Sequence, residues 1–281
     1  MTELSGRTFL ITGANTGIGY QTALDLARRG GRVFIACRDT SRCADAVSLL
    51  RSQSGSDAVI PLTLDLADLD SVRACAADFL GRDEPLHVLI NNAGVAGSQG
   101  VTRQGFELAF GVNHLGHFLL TELLLDRLRE SAPARVVNVS SEAHYHARGI
   151  DFGVLRQRGT GMTGMAQYAV SKLSNVLHVQ ELARRLDGAG VTTYALHPGV
   201  VASDIWRRVP WPVRPIIKRR MISTADGART SLYCATSPEV ADVSGRYYDS
   251  SAEREPSKVA TPALAAELWT HSEKWTSREG D

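Results

Sequence analysis

The 281-residue chain is short of several things, and each shortage narrows what it can be. It has four cysteines, Cys37, Cys43, Cys75 and Cys234, none in a C-x-x-C pair and none at zinc-ligand spacing. That argues against a disulfide framework or a metal site, and the thiols read as buried or incidental groups in a reducing compartment. An excess of charge of either sign is nearly absent: 31 Lys and Arg against 30 Asp and Glu leave a formal charge of +1. No global basic field points to nucleic acid. No run of apolar residues approaches the ~20 needed to span a bilayer. No basic stretch leading into an apolar one precedes the first expected strand. The expectation is a cytoplasmic protein. Repeats, low-complexity tracts and linkers are also missing, so one domain over 1–281 is expected.

What the chain does have is alternation. Short β-branched runs at Arg7–Thr12, Arg32–Ala36, Ala58–Leu64, Leu86–Asn91, Ala134–Ser140 and Val191–Leu196 read as strands. Between them, helical spacing marks Tyr20–Arg29, Ala44–Leu50, Leu69–Leu80, Phe106–Arg129 (bent near Gly116) and Gln167–Leu186. Strands alternating with helices imply an α/β fold: a doubly wound parallel sheet, the Rossmann fold, with ligands at the carboxyl ends of the strands. Asn15, Arg38, Asp65, Asn91, Ser141 and Pro198 all fall at or just past such ends.

Two local patterns carry chemistry. Thr12-Gly13-Ala14-Asn15-Thr16-Gly17-Ile18-Gly19 follows the first strand, where glycines allow a tight turn and a close backbone approach to a pyrophosphate. Tyr168 and Lys172 stand one helical turn apart and project from one face. A phenol titrates near pH ~10 and needs a fixed cation to serve at neutral pH, which Lys172 can supply. Either pattern alone is weak, because a glycine turn is often only a turn and a Y-x-x-x-K match is often an amphipathic helix.

Their order along the chain is more telling. The glycine turn is followed by Asp65-Leu66, Asn91-Asn92-Ala93-Gly94, Asn113, Ser140-Ser141, Tyr168/Lys172 and His197-Pro198-Gly199. This series resembles the short-chain dehydrogenase/reductase family over nearly the whole chain. Gly111-Val112-Asn113-His114-Leu115-Gly116-His117-Phe118 and Ser171-Lys172-Leu173-Ser174-Asn175 further resemble its retinol dehydrogenase branch, whose members carry an N-terminal membrane segment not seen ahead of the first strand here.

The resemblance implies Tyr168 as acid/base, with Lys172 lowering its pKa and bonding the nicotinamide ribose. It implies Ser141 as hydrogen-bond donor to the substrate oxygen, and Asn113 as anchor of a relay water. Strand alternation sends Ser140 and Ser141 to opposite faces, and the family pattern favours Ser141. For the cofactor it implies Gly13, Asn15, Thr16, Gly17, Ile18 and Gly19 at the phosphates, and Asp65 and Leu66 at the adenine. Asn91, Ala93 and Gly94 would stabilise the central sheet and line the adenosine side; Pro198, Val201 and Ser203 would hold the nicotinamide. Arg38 ends the second strand where NAD enzymes place a carboxylate, and a guanidinium there pairs with a 2′-phosphate, so the reading is NADP(H).

The 27 residues from Ser141 to Tyr168 include a segment, His144 to Met165, expected to loop over the substrate cleft, with His144 and His146 read as exposed. The stretch 205–222 holds Trp206, Trp211, six Arg or Lys, three prolines and no acidic residue. It reads as a substrate lid around 203–224 for a small lipophilic alcohol, aldehyde or ketone. Peripheral contact of 205–222 with an anionic membrane is a candidate interaction, and a packed surface loop is the plainer alternative. Family members often form a homodimer through the helices matching Phe106–Arg129 and Gln167–Leu186. Two other functions compete: a double-bond reductase on the same scaffold, and a non-catalytic nucleotide sensor, which would need the glycines but not the acid/base.

Overall fold

A computed structural model of the chain describes residues 3–157, 163–199 and 223–277. Val201, Ser203, Trp206, Trp211 and residues 203–222 of the expected lid lie outside the described residues.

Strand β1 (Thr8–Thr12) enters the glycine turn, and helix α1 (Gly17–Arg28) leaves it. Strands β2 (Arg32–Cys37), β3 (Val59–Thr63) and β4 (Val88–Asn91) alternate with α2 (Thr40–Ser54) and α3 (Leu69–Leu80). Helix α4 (Leu108–Glu130), β5 (Ala134–Val139), α5 (Met165–Arg185) and β6 (Val191–His197) complete the part that sequence patterns outline. Most expected ends hold within two residues, but α1 begins at Gly17 and α2 is longer than Ala44–Leu50, and the bend in α4 is a π-turn over Gly111–Leu115. Asp39 accounts for the longer α2, since its carboxylate accepts from the Arg42 amide at 3.0 Å and starts the helix early.

The sheet order is β3-β2-β1-β4-β5-β6-β7-β8, where β7 is Arg246–Asp249 and β8 is Ala252–Arg254. All pairs are parallel except β7 with β8, an antiparallel edge hairpin. The order reverses between β1 and β4, which opens a crevice there beyond the strand ends. Helices α1, α2 and α6 (Thr224–Thr236) cover one face around Phe9, Ile11 and Ile35; α3, α4, α5 and α7 (Pro262–Thr276) cover the other around Phe79, Phe118 and Leu177.

Helix α4 is apolar and long enough to cross a membrane, yet 78% of its apolar window is buried inside this fold. It is the central core helix, which is why it is hydrophobic nearly all round. Helix α7 lies over α4 and α5: Trp269 meets Phe118 at 4.9 Å and His178 at 5.7 Å, and Arg185 stacks 4.2 Å over the Trp269 ring.

The first part of the segment after Ser141 packs against the fold, and its far end returns to the cleft rim, where Gly164 lies against Gly97 and Ser98. Residues 142–146 form a short 3-10 turn, and 147–157 pack downward: Phe152 stacks on His271 at 4.3 Å, and Arg156 lies 4.6 Å over Phe106. Residues 158–162 of this segment are outside the described set.

Candidate active site

The crevice is a cleft of about 590 Å³ running from Arg38, Asp39 and Arg42 at one end to Tyr168, Lys172 and Pro198 at the other. Its floor is the glycine turn. Gly13 has φ +66°, and a Cβ there would sit 2.9 Å from Ala93; one at Gly19 would sit 2.5 Å from the Asn92 amide nitrogen. Side chains would therefore close the cradle that a pyrophosphate needs. Thr16 precedes α1 in extended conformation without capping it, and the first turn of α1 holds no acidic residue. By contrast Asp39 and Asp68 cap α2 and α3. The first-turn amides of α1 stay available to an anion. The residues present fit a dinucleotide.

Asn15, Thr16, Gly17, Ile18, Asp65, Leu66, Ala93, Gly94 and Pro198 all stand in the cleft wall. Asn91 does not. It is 1% exposed, and its amide donates to Thr121 Oγ1 at 3.0 Å and Asn138 Oδ1 at 2.8 Å, so its side chain belongs to the core. The cleft residue is its neighbour Asn92, whose amide donates to the Thr12 carbonyl at 2.8 Å and pins the β4 end to the glycine turn. Alternation along β4 gives the reason, since adjacent side chains face opposite sides.

At the outer end Arg38 is exposed in the cleft wall, and no ion pair among the described residues engages it. Asp39, the carboxylate that could compete for a ribose, is committed to the α2 amide and lies 3.5 Å from Arg42. Arg42 is a second cation on the same wall, missed in the sequence because it sits beyond the strand end, inside the first turn of α2.

At the inner end β5 delivers two serines. Ser140 Oγ donates to the Lys172 carbonyl at 2.7 Å and ties β5 to α5, although Ser140 also borders the cleft. Ser141 Oγ accepts from the Ala143 amide at 3.2 Å, which leaves its proton free, and it hydrogen-bonds Tyr168. Burial raises the Tyr168 phenol above its usual range, and the Ser141 bond pulls it down.

Lys172 is 3% exposed; its ammonium donates to the Val139 carbonyl at 2.8 Å and lies 5.6 Å from the Tyr168 ring centroid. Burial brings its pKa down to about 7. A Cβ at Gly94 would lie 3.5 Å from Lys172 Nζ and 3.3 Å from Asn113 Oδ1, so a side chain there would press on the Asn113 amide.

Asn113 sits in the π-turn, fully buried and off the cleft wall. Its amide grips Val95 from both sides, accepting from N at 2.8 Å and donating to O at 3.0 Å, and it donates to Ser171 Oγ at 2.9 Å. Its carbonyl accepts from His117 Nδ1 at 3.0 Å. Thr12 Oγ1 accepts from the Asn92 and Ala93 amides and so donates to His117 Nε2 at 2.8 Å. His117 is thereby held neutral, with burial lowering its pKa to about 4. It links the glycine turn to α4 and, through Asn113, to Ser171 on α5, a role no local motif announces.

His144, expected to be exposed, is fully buried, whereas His146 is exposed.

The chain belongs to the short-chain dehydrogenase family, whose model matches residues 7–153. It is an oxidoreductase of that family, binding a nicotinamide cofactor and acting on small substrates. Among characterised proteins it is 47% identical to mouse retinol dehydrogenase 12, over 96% of this chain and 86% of that one. It is 44% identical to human retinol dehydrogenase 13, over 98% and 86%. The resemblance to the retinol dehydrogenase branch therefore holds. A solved structure of an uncharacterized protein from Mycobacterium Paratuberculosis matches with TM-score 0.78 and 36% identity, over 97% of this chain and 94% of the other.

Proposed function

We propose that this protein is an NADP(H)-dependent oxidoreductase of lipophilic alcohols, aldehydes or ketones. The observation that carries the reading is one cleft with, at its outer end, an arginine that no ion pair among the described residues engages and, at its inner end, Tyr168 and Lys172, with Ser141 beside Tyr168 just off the wall. When bound, the nicotinamide supplies or accepts the hydride.

The chain's own residues handle the proton and the developing charge. Tyr168 holds at Oη the proton given to a carbonyl oxygen, or takes one from an alcohol. Ser141, whose oxygen already accepts from Ala143, directs its hydroxyl proton to that same oxygen and stabilises charge in the transition state. Lys172, when charged, favours the phenolate. Asn113 fixes Val95 and Ser171 around this group, and its position suits anchoring a relay water to Lys172. Arg38, with Arg42 behind it, pairs with a 2′-phosphate.

The lipophilic class rests on the retinol named in the relatives and on the apolar, basic composition of 205–222. Trp206, Trp211, Val201 and Ser203 keep their proposed substrate and nicotinamide roles. The four cysteines, all buried and free, suit a cytoplasmic setting. A homodimer built on α4 and α5 would have to displace α7 from their outer faces.

A panel of all-trans-retinal, aliphatic and aromatic aldehydes and polycyclic ketones, followed by NADPH oxidation, tests the reading. Turnover of large apolar carbonyls with NADPH, weakened selectively by Trp206→Ala and Trp211→Ala, is expected. Equal use of NADH, or equal losses for small and large substrates, contradicts it. Flotation with anionic liposomes tests the candidate contact through 205–222 separately: salt-sensitive binding would support it, and its absence would leave the segment as a substrate lid alone.

A further inference from the structure

We infer that His144 is a positioning residue for Ser141, coupling the catalytic serine to the C-terminal part of the fold. The inference rests on the proposed role of Ser141 and extends it to a residue outside the motif.

His144 is fully buried in the 3-10 turn that follows Ser141. Its Nδ1 lies 2.7 Å from the Ser141 carbonyl, which also accepts from the His144 amide at 3.1 Å. Its Nε2 lies 3.1 Å from the Ser257 amide, 113 residues away in the connection between β8 and α7. A carbonyl only accepts and an amide N–H only donates, so the ring must carry its proton on Nδ1 and leave Nε2 bare. One neutral tautomer satisfies both neighbours; the charged ring would turn Nε2–H against the Ser257 N–H. Burial lowers the ring's pKa, in keeping with that demand.

The ring is also wedged between aromatics, 3.9 Å from Tyr145 and 4.6 Å from Tyr247 on β7, while Tyr145 Oη donates to the Glu255 carbonyl at 2.7 Å. His144 can therefore neither flip nor withdraw without breaking two hydrogen bonds. Its grip on the Ser141 carbonyl sets that residue's backbone, and the Ala143 amide then sets the side chain. The hydroxyl is aimed at Tyr168 by a chain of contacts that begins at Ser257.

The test compares His144→Phe, which keeps the ring and loses both hydrogen bonds, with His144→Asn, which keeps a donor for the Ser141 carbonyl and loses Ser257. Ser141→Ala is the control for the underlying reading. Should the phenyl ring not be accommodated, His144→Gln, whose longer side chain misplaces the donor, is the second loss variant. Two quantities are read. One is kcat for NADPH oxidation with all-trans-retinal; the other, which needs no substrate, is the titration of Tyr168 followed by ¹³Cζ-tyrosine NMR.

His144→Phe should lower kcat about 10-fold, the scale of a sub-ångström misplacement, with NADPH Kd unchanged. It should also move the Tyr168 titration to higher pH, because the Ser141 bond that lowers it is lost. His144→Asn should restore most of both. If Ser141→Ala moves both readouts and His144→Phe moves neither, the inference fails alone. If Ser141→Ala moves neither, the reading of Ser141 fails first. An Asn variant no better than Phe also overturns the inference, because the effect would then come from packing.

Discussion

The two ends of the cleft treat positive charge in opposite ways. Arg38 stands exposed with no described partner, and its neighbour Arg42 is 70% exposed. Lys172 is 3% exposed, and burial brings it down to about 7. An exposed guanidinium keeps its charge and can select an anionic group on the way in, at modest and salt-screened strength. A buried amine changes protonation near neutral pH and can bias a phenol beside it, at a cost to the fold. On the proposed reading, one end selects and the other reacts. If the division holds, damage at either end should leave the other end's measurable largely intact.

The largest effect should come from the reacting end. Tyr168→Phe keeps the ring and removes the transferable proton, so kcat should fall at least ~100-fold while NADPH titrates with an unchanged Kd.

Lys172 comes next, read through stability. In the unfolded chain it holds its proton up to about 10.5, and in the folded protein only to about 7. Between those values the unfolded state binds more protons, so stability rises with pH across that window, by a few kcal/mol in full. Lys172→Met should flatten this rise: the variant gains most over wild type below pH about 7, and its advantage shrinks toward pH about 10.5. Urea titrations at several pH values check it, and a parallel offset at all pH values breaks the account of Lys172.

At the selecting end, Arg38→Ala should weaken NADPH by about 1.5–3 kcal/mol, the scale of one charge-assisted contact, and NADH hardly at all. Raising the salt should narrow the wild-type preference.

The smallest effect sharpens the local distinction between the serines. Ser140→Ala should cost about 1 kcal/mol of stability through its bond to the Lys172 carbonyl, with kcat within a few-fold of wild type. Ser141→Ala should show the reverse pattern, little stability lost and kcat sharply reduced.

How much of this was legible in the sequence follows from the range of the interactions involved. The first six strands, the glycine turn and the Tyr168–Lys172 pair announce themselves within a few residues, through period, turn chemistry and helical spacing. Asn91 keeps the sheet-stabilising part of its motif's expected role, while the cleft wall takes Asn92, from which strand alternation already separated it. The C-terminal part had a signal that went unused: Thr261-Pro262 is a helix start, and Ala265, Leu268 and Trp269 keep helical spacing into the core. His144 had none. It reads as a loop residue because its surroundings, Tyr247 and Ser257, arrive from more than a hundred residues downstream. Its burial is a property of the assembled sheet edge.

The most direct test of the central claim measures Kd for NADPH and saturated kcat side by side in Tyr168→Phe and Arg38→Ala. The account predicts a crossed result: Tyr168→Phe loses kcat at least ~100-fold with Kd unchanged, and Arg38→Ala loses NADPH affinity with kcat at saturation near wild type. A variant in which both quantities fall together would contradict the division between a selecting end and a reacting end.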